Sequence, residues 1–268
     1  MHVEYYEPCL EFDRCNELMD LYWNSKQFDR CFEGHLKLAE ETHYPLAECQ
    51  TGYFYWKGIG VEPNMQKALY WTNLSAIHGD WDAQCNLATF YEEGLCGEKN
   101  LEKAKYWYSR AALQEEEESV EKCRKFGISV TEKYKPDLSN VPHWHFELQQ
   151  PAADHLLKLV LEGKKRATSS SLAAYRSEGE AVPKPGDWNV LTNWEGKPGC
   201  LIVTTQVEIL PFREIGFELA EWEGEDECLE SWRKNHIAFF TEEGKQLGYS
   251  FSEEMPVVFE RFEVLETL

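Results

Sequence analysis

Positive charge is scarce in this sequence: 27 Lys and Arg face 48 Asp and Glu, for a formal net charge of -21. Affinity for a nucleic-acid backbone comes largely from counterions that Lys and Arg release. The deficit therefore counts against a long nucleic-acid footprint, and no DNA partner is expected. One nucleotide held in a local basic pocket stays compatible with it. Long apolar runs are also missing. No stretch of 18 apolar residues occurs, which argues against a membrane span. The segment Met1 to Phe12 holds Glu4, Glu7 and Glu11 and no apolar core, so no secretory signal is expected and the location implied is cytoplasmic. No Cys-x-x-Cys occurs, and the cysteine count, nine, is odd. A disulfide framework and a zinc site are both disfavoured, leaving the thiols to pack as small hydrophobes.

What is present is enough for folded cores. Hydrophobic residues make up 43% of 268 residues, and aromatics 14%, which fits about two compact domains rather than a disordered chain.

The first half repeats itself. Ala47 aligned with Ala83 sets a period of 36 residues, and Gly58/Gly94, Asn64/Asn100, Lys67/Lys103, Ala68/Ala104, Tyr70/Tyr106, Trp71/Trp107 and Ala76/Ala112 then coincide. A period in the mid-thirties marks stacked helix pairs. In the first unit, 47–82, one helix spans about Ala47–Trp56 and ends at Gly58 and Gly60. Asn64 then caps a second helix over about Met65–His78. The unit 83–118 has the same layout with Asn100 as cap. The pattern A-x-x-x-x-G-x-x-Y-x-x-G followed by K-A-x-x-W resembles the Sel-one-like repeats, relatives of the tetratricopeptide repeats, across roughly 34–127. Gly52 holds the early glycine position in the first unit and Ala88 in the second. The resemblance implies an α-solenoid over residues 1–128 whose concave face takes a protein partner; steadying a neighbouring domain is the plainer alternative. Residues 129–143, with Pro136 and Pro142, read as a linker.

Residues 144–268 read as a second domain. His155–Glu162 is amphipathic and stops at Gly163. Lys165–Ser171 leaves it as a strand or extended loop. Strands are expected at Trp188–Thr192, Cys200–Ile209 and Val257–Leu265, and a helix at Asp226–Asn235. Gly163-Lys164-Lys165-Arg166-Ala167-Thr168 is a G-x-K-x-x-T string. With Tyr175, Pro183–Asp187, Pro211-Phe212, Glu223–Asp226, Trp232-Arg233, His236 and Pro256–Phe262 it resembles the ASCH domain family. The resemblance implies an α+β domain built on a small PUA-like β-barrel with flanking helices and a cleft facing RNA or a nucleoside. It also implies hydrolysis of N(4)-acetylcytidine as one activity, with Lys165, Thr168 and Glu223 as catalytic residues. Metal-dependent ribonuclease action and RNA binding without cleavage are activities of other members. Three serines, Ser169 to Ser171, stand where the small hydrolases have a charged pair.

The residues themselves allow that chemistry without proving it. Threonine needs a base, and a desolvated lysine with a lowered pKa can be one. A carboxylate such as Glu223 can shuttle a proton to a leaving amine. Equally, Lys165 could be a helix-end lysine, Thr168 an ordinary strand residue and Glu223 one solvated carboxylate of the run Glu221–Glu227. Lys164 and Arg166 could bind an anion or serve the helix C-terminus. With Ser169 and Tyr175 they complete the expected substrate-binding set. Trp188 and Trp194 could stack on a base or fill the core. His236 could carry a proton or simply pack. No cofactor is expected, apart from a divalent metal at the acidic run under the ribonuclease alternative.

Overall fold

The computed structural model describes residues 8–146 and 149–268. Most of the charged N-terminal stretch discussed above, residues 1–7, lies outside the described residues. The chain divides into two compact units, Met1–Leu138 and Ser139–Leu268.

The first unit consists of seven helices among the described residues: α1 (Leu10–Trp23), α2 (Phe28–Thr42), α3 (Pro45–Lys57), α4 (Met65–Ile77), α5 (Trp81–Glu93), α6 (Leu101–Ala112) and α7 (Glu117–Phe126). The repeat register explains their ends. Asn64 accepts from the Lys67 amide at 2.9 Å and Asn100 from the Lys103 amide at 3.0 Å, so each satisfies an amide that the first helical turn leaves open. Gly58 and Gly94 end α3 and α5 in the left-handed region, at φ 68° and 73°. Repeat-matched Ala68, Ala104, Trp71 and Trp107 are buried. Asn64→Ala and Asn100→Ala should each cost about 1 kcal/mol; paired urea unfolding curves check this, and a cost near zero for both would remove the capping role. Part of the expected linker is packed on this unit, where the Tyr134 hydroxyl donates to Glu102 at 2.7 Å.

The second unit carries β1 (His143–Trp144), α8 (Gln150–Leu161), β2 (Ala167–Ser171), α9 (Leu172–Glu178), β3 (Trp188–Thr192), β4 (Pro198–Pro211), α10 (Phe217–Ala220), α11 (Leu229–Leu247) and β5 (Pro256–Thr267). The strands form one five-stranded sheet in the order β1-β3-β4-β5-β2. Only β1 and β3 run parallel; the other pairs are antiparallel. The expected β-barrel is therefore corrected to an open sheet: β1 and β2 are its two edges, and no pairing between them closes it among the described residues. The β4–β5 register shifts at Leu201/Ile202 and Thr204/Gln206, and such irregularities bend a sheet. One core gathers α8 residues Leu156, Leu157 and Val160 against Ile202 and Phe262. Another gathers Phe212, Ala220, Trp232, Phe240 and Val257.

Cys15, Cys31, Cys49, Cys85, Cys123 and Cys200 are buried, in keeping with packing as small hydrophobes, and all nine cysteines are free thiols. Among the described residues no helix is long and apolar enough to cross a membrane.

Candidate functional site

The G-x-K-x-x-T segment links α8 to the edge strand β2. Its position is fixed by a second, distant segment, the short 3-10 turn Glu221–Glu223. The Arg166 amide donates to the Trp222 carbonyl at 2.8 Å. Gly224 then turns the chain at φ 64°, and a Cβ there would lie 2.2 Å from the Lys164 carbonyl oxygen. Only glycine tolerates both that φ and that approach. The turn places Glu223 and Glu225, on either side of Gly224, around one ammonium group.

That ammonium belongs to Lys165, which is only 1% exposed. Its Nζ donates to Glu225 Oε1 and lies 3.4 Å from Glu223 Oε2. Glu223, also 1% exposed, accepts at Oε1 from the Ser169 hydroxyl at 2.7 Å and from Trp232 Nε1 at 3.0 Å. Its Oε2 faces His236 Nε2 at 3.4 Å. Trp232 and His236 are one helical turn apart on α11 and stack with ring centres 4.0 Å apart. The His236 Nδ1 is 3.0 Å from the Trp232 carbonyl, which fixes the ring.

Burial by itself would raise the Glu223 carboxyl, yet the charges of His236 and Lys165 and the hydrogen bonds outweigh it and hold the group at about 2. Burial would lower Lys165, but Glu225 and Glu223 outweigh it and raise the ammonium above its ordinary value. This corrects the expectation of a desolvated lysine with a lowered pKa. As it stands, Lys165 is a proton donor and a fixed positive charge, not a base. His236 is likewise raised: burial opposes its charge, and Glu223 overcomes that.

The expected site residues thus separate. Lys165, Ser169 and Glu223 come together. Thr168 does not join them, because β2 alternates: Ala167, Ser169 and Ser171 are buried, while Thr168 and Ser170 are half-buried on the other side. Thr168 pairs in register with Glu260. Glu260 is buried, accepts from the Thr204 hydroxyl at 2.5 Å, and is pushed up to about 7, mainly by burial. Tyr175, half-buried on α9, is pushed up to about 12 by burial first and then by Glu260. Lys164 is exposed and pairs with Glu162 at 2.8 Å. Arg166 is exposed, with its guanidinium 4.5 Å from the Trp222 ring. Trp188 belongs to the core, and Trp194, 38% exposed, lies against His145.

Glu225 and the Trp232 indole N–H were not singled out from the sequence. The i, i+4 spacing of Trp232 and His236 on a helix, and the Glu-Gly-Glu order, were the available signals. Among the described residues no group of three or more His, Cys, Asp or Glu side chains is placed to hold a metal ion. Glu223 and Glu225 are turned toward the Lys165 ammonium instead.

Two families match different parts of the chain. An ASCH domain family model matches residues 142–266, and a Sel1 repeat model matches 45–80 and 81–115. The chain is similar to an ASCH domain from Lactobacillus crispatus JV V101, with 32% identity, covering 59% of this chain and 94% of that one, at a TM-score of 0.45. A protein from Enterococcus faecalis V583, of the family model DUF984, is 28% identical over 60% of this chain and 89% of that chain, with a TM-score of 0.45. A Sel1 repeat protein from Oxalobacter formigenes is 30% identical, covering 46% of this chain and 49% of that one, with a TM-score of 0.37. No curated protein matches.

Proposed function

The chain belongs to the ASCH domain family through residues 142–266 and carries Sel1 repeats ahead of them, and from that premise we propose that it hydrolyses a small amide on a modified nucleoside, of the N(4)-acetylcytidine type. The observation that carries this reading is the convergence of Lys165, Ser169, Glu223 and His236 in one buried cluster. Desolvating charges costs several kcal/mol per ion. Core filling by apolar groups would serve stability alone, so this cluster is better suited to a chemical task.

Each residue has a role in the proposal. The Ser169 oxygen attacks the acyl carbon. Its proton passes to Glu223 Oε1, to which it already donates. A carboxylate held at about 2 is a weak base. When the substrate carbonyl draws the Lys165 ammonium away from Glu223, the carboxyl loses a lowering charge and burial raises it. Lys165 and His236 face the developing oxyanion. The C–N bond breaks as Glu223 returns the proton to the leaving amine. Water then cleaves the acyl ester and restores the Ser169 hydroxyl. Thr168, the hydroxyl that the family resemblance favours, is tested beside Ser169. A cavity of about 160 Å³ bordered by Gly163, Arg166 and Phe262 shares Lys165 with the cluster. It is smaller than the roughly 300–1,000 Å³ of drug-sized pockets, which favours a ligand no larger than a base.

The repeats supply a partner surface in this proposal. Tyr22, Tyr53 and Phe54 line a 280 Å³ groove with Asp82 and Asn86. A groove of mixed apolar and polar lining suits an extended peptide segment.

The test is cytidine release from N(4)-acetylcytidine. Wild-type protein should release cytidine, Glu223→Gln should be slower by about 100-fold or more, and Lys165→Ala should be inactive. Loss of turnover in Thr168→Val with Ser169→Ala still active would move the nucleophile to Thr168. A folded wild-type protein that releases no cytidine sinks this substrate.

A further inference from the structure

A partly buried arginine that forms no ion pair with a carboxylate keeps its charge without a counterion. Arg261 on β5 is such a residue. Among the described residues its only hydrogen-bond acceptor is the neutral Gln206 side chain, at 3.4 Å, and its Nε is buried with no partner. Arg166 sits beside it, because the Phe262 amide donates to the Arg166 carbonyl at 2.9 Å. Both guanidinium carbons lie 4.5 Å from the centre of the Trp222 ring, so they are at most about 9 Å apart. The Arg166 side chain is 48% exposed, and Glu263 Oε1 is 3.8 Å from it. Two cations gathered on one indole repel each other, and an anion between them would relieve that repulsion through charge-assisted hydrogen bonds.

We infer that Arg166, Trp222 and Arg261 form a phosphoryl subsite, and that the substrate carries a phosphate rather than being a free nucleoside. The oxygens of one phosphate group can accept from two guanidinium forks at once, where both are within its reach. The subsite adjoins the Lys165–Glu223 cluster through the chain itself: Arg166 follows Lys165, Trp222 precedes Glu223, and the two segments are joined by the Arg166–Trp222 backbone hydrogen bond. A phosphate on the guanidiniums would leave its nucleoside beside the cluster. Guanidiniums held by a ring and a strand act locally, so the subsite is compatible with an acidic surface. That the phosphate belongs to a nucleoside rests on the function proposed above; the anion site does not.

The full-length protein is titrated calorimetrically with inorganic phosphate, cytidine, cytidine 5′-monophosphate and a short single-stranded oligocytidylate, and the titrations are repeated with Arg261→Gln and Arg166→Gln. Both variants leave the buried cluster untouched, and Arg166 is exposed, so at least one should fold normally. The expected result is a tenfold or greater preference for the monophosphate over cytidine. The ratio of the two affinities should fall to about one in each variant, and the preference should weaken as salt rises. Equal affinities in the wild type, or a preference that survives in both variants, overturn the subsite. Inorganic phosphate binding that disappears in Arg261→Gln, with no affinity for cytidine, supports the subsite and sinks only the nucleoside reading. Tighter binding of the oligonucleotide than of the monophosphate, again lost in the variants, supports the subsite and assigns its phosphate to an RNA diester.

Discussion

Replacing Lys165 with Met should destabilise the second unit by about 3–5 kcal/mol, because it removes one partner of a buried charge network and leaves the carboxylates under-compensated. Methionine keeps the length of the apolar stem, so little of the loss should come from a cavity. The pH dependence identifies the cause. Glu223 is held at about 2 in the fold, below its ordinary 4.5. Its contribution to stability is therefore fully present above about 4.5 and is lost as pH falls from there toward 2. His236 is shifted the other way, above its ordinary 6.5. Its contribution is present below 6.5 and is lost as pH rises through its folded value. Wild-type unfolding free energy should accordingly decline on the acid side of 4.5. In Lys165→Met that acid dependence should be shallower, since one of the two cations lowering Glu223 is gone. Urea unfolding across pH 2.5–8 measures it. The double variant Lys165→Met/Glu223→Gln should be less destabilised than the sum of the single changes, as expected for groups in contact. A loss below about 1 kcal/mol in Lys165→Met, with the acid dependence unchanged, would mean that the ion pair contributes little.

The second large effect should come from Gly224→Ala. The added methyl has two costs. Alanine in the left-handed region costs about 1–2 kcal/mol. In addition, its Cβ would fall 2.2 Å from the Lys164 carbonyl oxygen and 2.6 Å from the carbonyl carbon, both backbone atoms that no rotamer change can move aside. The turn must therefore lift away from the Lys164–Arg166 segment, carrying Glu223 and Glu225 from Lys165. Gly248→Ala is the matched control. Gly248 has φ 80° and nothing within 4 Å of a Cβ, so it bears only the conformational cost. Gly224→Ala should lose at least about 2 kcal/mol more than Gly248→Ala, and, under the proposed hydrolysis, nearly all cytidine release. Equal losses in the two variants would show that the close approach to Lys164 is not what positions the cluster.

Much of this protein follows from local sequence. The period of 36 residues, with asparagine caps and stop glycines at matching places, determined the helix pairs of the first unit, because capping and left-handed turns depend on only a few neighbouring residues. The β-branched run at Cys200–Ile209 and the turn formers before Trp188 determined where the strands lie, for the same local reason. Lys165 and Glu223 stood out as candidates through the ordered blocks of the ASCH resemblance, but their charge states did not. Those depend on burial and on partners 58 and 60 residues away, which no local pattern specifies. The sheet order, and with it an open sheet in place of a barrel, was decided by long-range pairing of β5 with both β4 and β2. The choice of Ser169 over Thr168 as the hydroxyl beside Glu223 was settled by strand phase, since a shift of one residue along β2 turns a side chain to the opposite face. Local sequence determined the elements and the chemistry available; tertiary structure decided which groups meet, because charge, burial and strand face arise only when distant segments pack.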